Sequence, residues 1–170
     1  GARMLEKSVA REIKRLNIPS SPDVSRQAPS LPTNLTDEQR AAVIKISRSH
    51  FAVLQGSAGT GKTTTMRALC NAFEADGGKV QLAAIAGKAA LRLSQSTGRI
   101  ALTIARLLIG LRRSEQFENE GKAISEDTPE ITENTMLVVD EASMVDLVTW
   151  NELLRFIPTG ATVVMVGDTA

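Results

Sequence analysis

A glycine-rich octet constrains the fold of this chain more than any other feature. It fits the phosphate-loop pattern G-x-x-x-x-G-K-[ST] at every specified position, and its residues are Gly56, Ser57, Ala58, Gly59, Thr60, Gly61, Lys62 and Thr63. An apolar run, residues 51–54, precedes the octet, and apolar side chains at helical spacing follow it, namely Met66, Leu69, Cys70 and Phe73. A strand, a glycine loop and a helix in this order direct backbone N–H groups and the positive helix end at a polyphosphate. The sequence therefore predicts a binding site for a nucleoside triphosphate.

The polar side chains at the end of the octet have specific chemistry in such a site. Lys62 is expected to reach the β- and γ-phosphates, and the Thr63 hydroxyl to ligate Mg²⁺. Thr64 follows directly and is expected in the same nucleotide site. The flanking strand and helix favour this interpretation over a chance glycine-rich turn.

Two adjacent acids downstream supply the second half of the predicted site. The apolar run at residues 136–139 predicts a buried strand that ends in Asp140 and Glu141. Asp140 is expected to hold the Mg²⁺ shell, and Glu141 to orient or deprotonate an attacking water. Such a pair is common as solvated turn residues, but the phosphate loop favours the catalytic interpretation. A carboxylate beside the metal-binding aspartate suits hydrolysis, so Lys62, Asp140 and Glu141 are the predicted catalytic residues of an NTPase.

Composition limits the classes of protein to which the chain can belong. With 170 residues, 42% of them hydrophobic, the chain can bury one good core, so one main domain is expected. No apolar run is long enough to span a bilayer and no signal peptide heads the sequence, so no membrane partner is expected. The single cysteine, Cys70, excludes an internal disulfide and is expected in the core, and the single histidine, His50, excludes a His-rich metal site. These features predict a cytoplasmic location.

Charge is distributed unevenly along the chain. Residues 86–113 contain no acid and six basic residues, namely Lys88, Arg92, Arg99, Arg106, Arg112 and Arg113. Residues 115–133 contain seven acids and one base, Lys122. A basic stretch near a nucleotide site suits a groove that follows a nucleic-acid backbone, and two helices with solvated basic faces explain the charge equally well.

The chain divides into three predicted segments. Residues 1–17 form an amphipathic helix, residues 18–34 form a linker that contains four of the six prolines, and residues 35–170 form the main domain. Within the main domain, apolar strands alternate with helices, which indicates an α/β fold with a parallel sheet and helices on both faces. Helices are predicted near residues 88–95 and 103–109, and a polar stretch at 112–133 leads to the strand that ends in Asp140. Trp150 is predicted to be a core residue.

An ordered set of motifs resembles the first motor domain of RecD-like superfamily 1 DNA helicases, the exodeoxyribonuclease V alpha-subunit family. The set comprises the helix start at residues 35–39, GSAGTGKT at 56–63, AGKAA at 86–90, VVDEASM at 138–144 and VVMVGD at 163–168. The resemblance covers about residues 35–170, and the ordered set is more specific than the phosphate loop alone. It implies a RecA-like P-loop NTPase fold with a small hairpin insertion at about residues 110–134. It also implies a bacterial protein with ATP and Mg²⁺ as ligands, and single-stranded DNA or a single-strand/duplex junction across the carboxyl edge of the sheet.

The resemblance assigns roles to individual residues. It implies that Gln39 recognises adenine and that Asp168 belongs to the motif that couples the γ-phosphate to DNA. It places Gly87, Lys88 and Thr103 near the DNA backbone, and Arg92 and Arg106 of the basic stretch complete the predicted DNA-binding set, giving Gly87, Lys88, Arg92, Thr103 and Arg106. Phe117 is expected to anchor the hairpin insertion or, less favourably, to act as its wedge.

Three departures and two alternative interpretations accompany the resemblance. Ile85 and Ala86 stand where the family commonly has Pro and Thr, and Ala105 stands where it commonly has His. The second motor domain, which supplies the arginine finger in this family, is absent from these 170 residues. From the residues alone, Thr36 and Gln39 form a helix capping box in which Gln39 bonds back to the helix start. Lys88 is also explained as a solvated residue at a helix start.

The sequence therefore supports two classes of function. The first is an ATP-dependent DNA helicase or translocase, of which this chain is the first motor domain and is nearly inactive alone. Its expected partners are DNA, the second motor domain and other recombination or repair subunits. The second is a degenerate helicase-like module that binds nucleotide or single-stranded DNA as a scaffold without translocating. A small-molecule kinase is disfavoured because no acceptor site or lid is evident.

Overall fold

Five parallel strands form one sheet at the centre of the molecule. The structure, a computed structural model, describes residues 2–17, 31, 33–56 and 61–168, so Ser57, Ala58, Gly59, Thr60 and most of the expected linker lie outside the described residues. The strands are β1 Phe51–Gly56, β2 Lys79–Ala84, β3 Ala101–Thr103, β4 Thr135–Asp140 and β5 Thr162–Asp168, in the order β1-β5-β4-β2-β3. Strand β5 therefore separates the strand before the phosphate loop from the strand that carries the acid pair.

Helices cover both faces of this sheet, as predicted. They are α1 Ala2–Asn17, α2 Asp37–Ser47, α3 Lys62–Ala75, α4 Gly87–Thr97, α5 Ile104–Asn119 and α6 Leu147–Arg155, with a short 3₁₀ helix at Ala142–Met144. Helices α2, α3 and α4 pack on one face through a cluster that includes Leu69 and Val138, and α1, α5 and α6 pack on the other through a cluster that includes Leu107 and Val139. The two clusters take successive residues of β4 because side chains alternate between the faces of a strand. The predicted α/β RecA-like fold is confirmed.

Helix α1 packs against α6 rather than standing apart from the sheet. Its apolar stripe, Val9, Ile13 and the fully buried Leu16, joins the core cluster of that face. Arg15 donates hydrogen bonds from Nη2 to the carbonyl oxygens of Leu154 (3.1 Å) and Ile157 (2.7 Å), where α6 ends. The Leu154 carbonyl oxygen also accepts the backbone N–H of Ile157 at 3.2 Å, so Arg15 adds side-chain hydrogen bonds to the C-terminal end of α6 and to the turn that follows it. Trp150 of α6 is buried in the same cluster, as predicted.

Residues 101–134 differ most from the sequence prediction. The segment 101–103 is an edge strand that pairs with β2 and not the start of a helix. Helix α5 then continues to Asn119, well beyond the predicted end near residue 109, because Leu107, Leu108, Leu111 and Ser114 keep one face buried.

The hairpin expected at residues 110–134 is not present. No strand lies between Ile104 and Asn134 in the described structure; the second half of α5 is followed by a segment that returns along it. A Cβ atom on Gly110 would lie 2.3 Å from the ring of Pro129, and Ser114 Oγ donates to the Pro129 carbonyl oxygen at 3.1 Å. The return segment ends with Ile131 in the core. Phe117 therefore lies half-buried on a helix and is neither the anchor nor the wedge of a hairpin.

Candidate functional site

The phosphate loop ends at the start of α3, at a position whose backbone and surroundings favour glycine. Gly61 is the N-cap of α3 and has a left-handed backbone (φ 79°, ψ 17°), a conformation that strains other residues. A Cβ atom there would collide with Gln39 Nε2, so a side chain could be accommodated only if the Gln39 amide moved away from Gly61. Gly61 provides no side-chain cap for α3, and the first turn of α3 contains no acid. Within this turn no acidic side chain therefore competes for the backbone N–H groups at the helix start, as a phosphate site requires.

Lys62, the first residue of α3, extends across the carboxyl end of the neighbouring strand. Its Nζ lies 3.4 Å from the carbonyl oxygen of Gly167 in β5, a long contact that a phosphate oxygen can replace. Gly167 pairs with Gln55 of β1, and Asp168 pairs with Gly56, so the VVMVGD motif ends beside the start of the phosphate loop. The described part of Asp168 is its backbone. The structure therefore brings the end of the phosphate-loop motif, Lys62, next to the end of the VVMVGD motif.

Thr63 and Asp140 fit a magnesium site by their chemistry. Thr63 is exposed in the first turn of α3, and Asp140 is the last residue of β4. Asp140 Oδ1 accepts the backbone N–H of Glu141 at 2.8 Å, which fixes the carboxylate and leaves its other oxygen for a ligand. The described residues contain no group of three or more His, Cys, Asp or Glu side chains suited to a metal. One carboxylate and one hydroxyl suit Mg²⁺, which usually keeps waters and takes oxygens from substrate phosphates.

Glu141 adopts an unusual backbone conformation. Its φ of 53° makes it the only non-glycine residue with positive φ among the residues described. Its carbonyl oxygen accepts the N–H of Met144 at 3.0 Å, which holds this conformation at the start of the 3₁₀ helix. Its carboxylate Oε1 lies 3.4 Å from Nη2 of Arg92 in α4. Strain of this kind occurs often at active sites, which fits the catalytic role predicted for Glu141.

Gln39 forms the capping box that its local sequence predicts. Its backbone N–H donates to Thr36 Oγ1 (3.1 Å) and its Oε1 accepts the Thr36 N–H (2.9 Å). The side chain also reaches the phosphate loop, because Nε2 donates to the Gly61 carbonyl oxygen at 3.1 Å. One lone pair of Oε1 and one N–H of Nε2 remain for a ligand. Capping is confirmed, and adenine recognition stays a prediction that the capped geometry permits.

The predicted DNA-binding residues lie at the same edge of the sheet as the acid pair. Thr103 ends β3 and Asp140 ends β4, and both are in register with Ala84 at the end of β2. Helix α4 begins at Gly87 and Lys88 immediately beyond this row. Thr103 Oγ1 caps α5 by accepting the N–H of Arg106 at 3.2 Å. Lys88 and Arg106 are exposed, and neither forms an ion pair with any residue that the structure describes.

Three arginines of the basic stretch have intramolecular partners instead. Arg99 binds Glu74 of α3 through two hydrogen bonds (2.8 and 2.9 Å), and Arg112 pairs with Glu152 of α6. Arg92 contacts Glu141, as described above. Half of the six cations in the stretch therefore have intramolecular partners, and of the cations in the predicted DNA-binding set only Lys88 and Arg106 are unpaired in the described structure.

Comparison with known proteins places the chain in a family. A family profile described as "AAA domain" matches residues 34–170. The chain belongs to this family. The ATP-dependent RecD2 DNA helicase of Deinococcus radiodurans is 38% identical over 135 residues, which cover 79% of this chain and 18% of that protein. The RecBCD enzyme subunit RecD of Mycobacterium tuberculosis is 32% identical over 170 residues, covering 86% of this chain and 28% of RecD.

A third relative extends the group beyond these two. A probable conjugal transfer protein TraA of Sinorhizobium fredii is 34% identical over 151 residues, covering 86% of this chain and 12% of TraA. The chain thus spans between 12% and 28% of the length of these three relatives. Together these similarities confirm the resemblance to the RecD-like motor domain. No helix among the described residues of this AAA domain is long and apolar enough to cross a membrane.

Sequence reasoning missed two contacts that join parts of the site. One is the link from Gln39 to Gly61, and the other is the ion pair between Arg92 and Glu141. The capping box gave a signal for the orientation of Gln39 but none for its second partner. The Arg92 contact joins residues 49 positions apart, and nothing local to either residue predicts it.

Proposed function

We propose that this AAA domain is the first motor domain of an ATP-dependent DNA helicase or translocase. The proposal places ATP·Mg²⁺ between the start of α3 and the acid pair of β4, and single-stranded DNA across the starts of α4 and α5. The observation that carries it is the convergence of the phosphate-loop helix, Asp140-Glu141 and the starts of α4 and α5 on the carboxyl edge of one sheet. In open α/β sheets, ligands bind at this edge. We further propose residues 35–170 as the motor domain, with α1 packed onto it.

The nucleotide half of the proposal assigns each residue a distinct task. The N–H groups of the first turn of α3, Lys62 and the octet glycines bind the polyphosphate, and Gln39 borders the adenine. Thr63 and Asp140 hold Mg²⁺, which neutralises charge on the phosphate oxygens. Glu141 positions the attacking water and accepts its proton. Asp168 at the end of β5 lies between the phosphate loop and the acid strand, where it can respond to the γ-phosphate.

In this proposal, DNA binds through helix N-termini and cationic side chains rather than through base stacking on aromatic residues. Helix α4 has no acid in its first turn and Ala86 provides no side-chain cap, so the N–H groups at Gly87 and Lys88 suit a phosphate. Thr103 and Arg106 provide a hydroxyl and a charge one strand away. Aromatic residues make up 3% of the chain, so phosphate contacts are expected to dominate.

A specific observation keeps the scaffold alternative open. Ala86 and Ala105 both lie exposed at this edge and offer no polar group where the family commonly has Thr and His. A module that binds without translocating needs neither side chain. The two functions differ in turnover, because Glu141 serves hydrolysis and contributes little to binding.

The deciding experiment is DNA-stimulated ATP hydrolysis by the full-length protein. The wild type should hydrolyse ATP faster with single-stranded DNA, and Glu141→Gln should abolish turnover while ATP binding, measured by calorimetry, persists. The matched control Glu38→Gln removes the same charge from the exposed first turn of α2 and should leave turnover unchanged. ATP binding without turnover in the wild type would favour the scaffold.

The isolated chain is expected to bind ATP and to hydrolyse it hardly at all. An arginine finger contributes roughly 10³–10⁵ in rate, and we propose that it comes from the second motor domain. Fast DNA-stimulated hydrolysis by residues 1–170 alone would show that the catalytic charge is already present and would contradict the two-domain mechanism.

A further inference from the structure

The contact between Arg92 and Glu141 connects the proposed DNA edge to the proposed catalytic carboxylate. Arg92 lies in α4, whose first turn forms part of the DNA edge, and its Nη2 lies 3.4 Å from Glu141 Oε1. Of the proposed catalytic acids, only Glu141 forms an ion pair in the described structure. One arginine thus touches the residue proposed to activate water while lying among residues proposed to bind DNA.

The direction of this contact matters for hydrolysis. Strand β4 lies between β5 and β2 in the sheet, and α4 follows β2. The phosphate-loop helix follows β1, on the other side of β5. Pairing with α4 therefore draws the Glu141 carboxylate toward the β2 side of its strand, away from the side on which β1 leads into the phosphate loop.

The ion pair between Arg92 and Glu141 is weak enough for another anion to replace Glu141 as the partner of Arg92. The side chains of Arg92 and Glu141 are 72% and 37% exposed, and an ion pair this accessible to water is weak. The backbone of Glu141 is held by the 3₁₀ helix and by Asp140 Oδ1, so release of the carboxylate requires only side-chain rotation. A DNA phosphate is a competing partner for the guanidinium because it offers a bidentate anion.

We propose that Arg92 is a positioning residue that restrains Glu141 when no DNA is bound and releases it when a strand phosphate takes its place. This inference rests on the proposed function and deepens it, since it names a residue through which DNA would stimulate hydrolysis. Arg92 acts through Glu141 and does not touch the nucleotide. DNA shifts the population of Glu141 side chains toward the water-activating orientation because it binds Arg92 in only one of the two states.

The test compares Arg92→Ala and Arg92→Lys with the wild-type full-length protein. Arg92→Ala should raise the DNA-free kcat about threefold or more, with the KM for ATP unchanged, because loss of a weak ion pair frees the carboxylate. The kcat at saturating DNA should stay near the wild-type value, so the stimulation factor falls. Arg92→Lys retains the positive charge without the bidentate guanidinium, and its DNA-free kcat should fall between those of the wild type and Arg92→Ala.

A second readout is the dependence of DNA affinity on salt, whose log–log slope should decrease by about 0.7 in Arg92→Ala.

A charge-matched control separates position from net charge. Arg48 is the exposed C-cap of α2 and precedes β1, at the amino edge of the sheet. Arg48→Ala removes the same charge and should change neither the DNA-free kcat nor the salt slope. Circular dichroism confirms that each variant is folded.

Each remaining outcome contradicts a definite part of the inference. A DNA-free kcat in Arg92→Ala that is unchanged, while the wild type is DNA-stimulated, overturns the restraint and leaves the proposed function intact. A parallel fall of kcat with and without DNA identifies Arg92 as a catalytic charge and also overturns it. A wild-type protein that DNA does not stimulate at all overturns both the inference and the proposed function.

Discussion

Gln39 Nε2 donates a hydrogen bond to the carbonyl oxygen of Gly61 at 3.1 Å, while Gln39 Oε1 accepts the N–H of Thr36. One amide therefore caps α2 and holds the last glycine before the phosphate-loop helix. Gln39 and Gly61 are 22 positions apart in sequence. This link connects the start of α2 to Gly61, the N-cap of the phosphate-loop helix.

Gly61→Ala should destabilise the domain and weaken ATP binding more than a comparable glycine substitution elsewhere. The left-handed backbone at position 61 costs an alanine about 1–2 kcal/mol. The Cβ atom of the alanine would also lie 2.3 Å from Gln39 Nε2, so the Gln39 amide would have to move. Gly77→Ala is the matched control, because Gly77 has φ 87° and open space around its Cβ position. Urea unfolding and calorimetry measure both effects. Equal losses in the two variants would show that the Gln39 contact is unimportant.

The losses of stability caused by Gly61→Ala and Gln39→Ala should be less than additive in the double variant. The double variant removes the side chain with which the new Cβ collides, while the backbone strain remains. The coupling between the two substitutions should therefore be favourable, as expected for residues in direct contact. Strictly additive losses would contradict the collision.

Lys62→Ala should weaken ATP binding by about 1.5–3 kcal/mol, roughly 10- to 150-fold in Kd, because it removes a charge-assisted contact to phosphate. Isothermal titration calorimetry measures the effect. Lys79→Ala is the control, since Lys79 is exposed at the amino end of β2, the opposite edge of the sheet. Equal affinity of wild type and Lys62→Ala would argue against a phosphate site at the start of α3.

Substitution of Lys88 or Arg106 should weaken single-stranded DNA binding and reduce its log–log salt slope by about 0.7 each. Arg112→Ala should leave the slope nearly unchanged, although Arg112 belongs to the same basic stretch, because its guanidinium pairs with Glu152. Fluorescence anisotropy across a range of salt concentrations provides the slopes. Identical effects of all three substitutions would indicate that net charge, and not the edge of the sheet, attracts DNA.

Ala86→Thr should stabilise the domain by about 0.5–1 kcal/mol, because a threonine hydroxyl caps a helix start that alanine leaves open. Ala86 already has the extended backbone of an N-cap residue (φ −121°, ψ 153°). Ala105→Thr is the opposite control, since it places the same side chain within α5 and should cost about 0.5 kcal/mol through lower helix propensity. Thermal and urea unfolding measure the difference. A loss of stability in Ala86→Thr would show that a threonine side chain cannot cap α4 at this position.

Glu74→Gln should cost about 0.5–1 kcal/mol of stability at pH 7, and the cost should disappear in acid. The two hydrogen bonds from Arg99 lower the pKa of Glu74 below its usual value. Because the folded pKa lies below the unfolded one of about 4.3, the stabilisation is complete above that pH. It is lost as the pH falls through the lowered folded pKa. Urea unfolding of both proteins from pH 7 to pH 3, repeated in an Arg99→Gln background where the effect should vanish, checks the pair.

Local patterns in the sequence were sufficient to predict most of the framework. The apolar runs at residues 51–54 and 136–139 predicted β1 and β4, and the capping box of Thr36 and Gln39 predicted the start of α2. These features depend on periodicity and on residues three or four positions apart, which the sequence displays directly. Edge strand β3 and the second half of α5 were missed. Three residues are too few to show a period, and polar residues on the solvent face of α5 obscured its buried face.

The sequence by itself determined that the chain carries a phosphate-loop helix, an acid pair at a strand end and a parallel α/β framework around them. Tertiary structure alone decided which long side chains meet: Gln39 with Gly61, Arg92 with Glu141, and Arg99 with Glu74. The reason is that strand order and helix packing bring these residues together, whereas a charge in the sequence specifies no partner. The basic stretch consequently looked uniform in sequence, yet in the fold Arg92, Arg99 and Arg112 form intramolecular pairs whereas Lys88 and Arg106 lie at an open edge of the sheet.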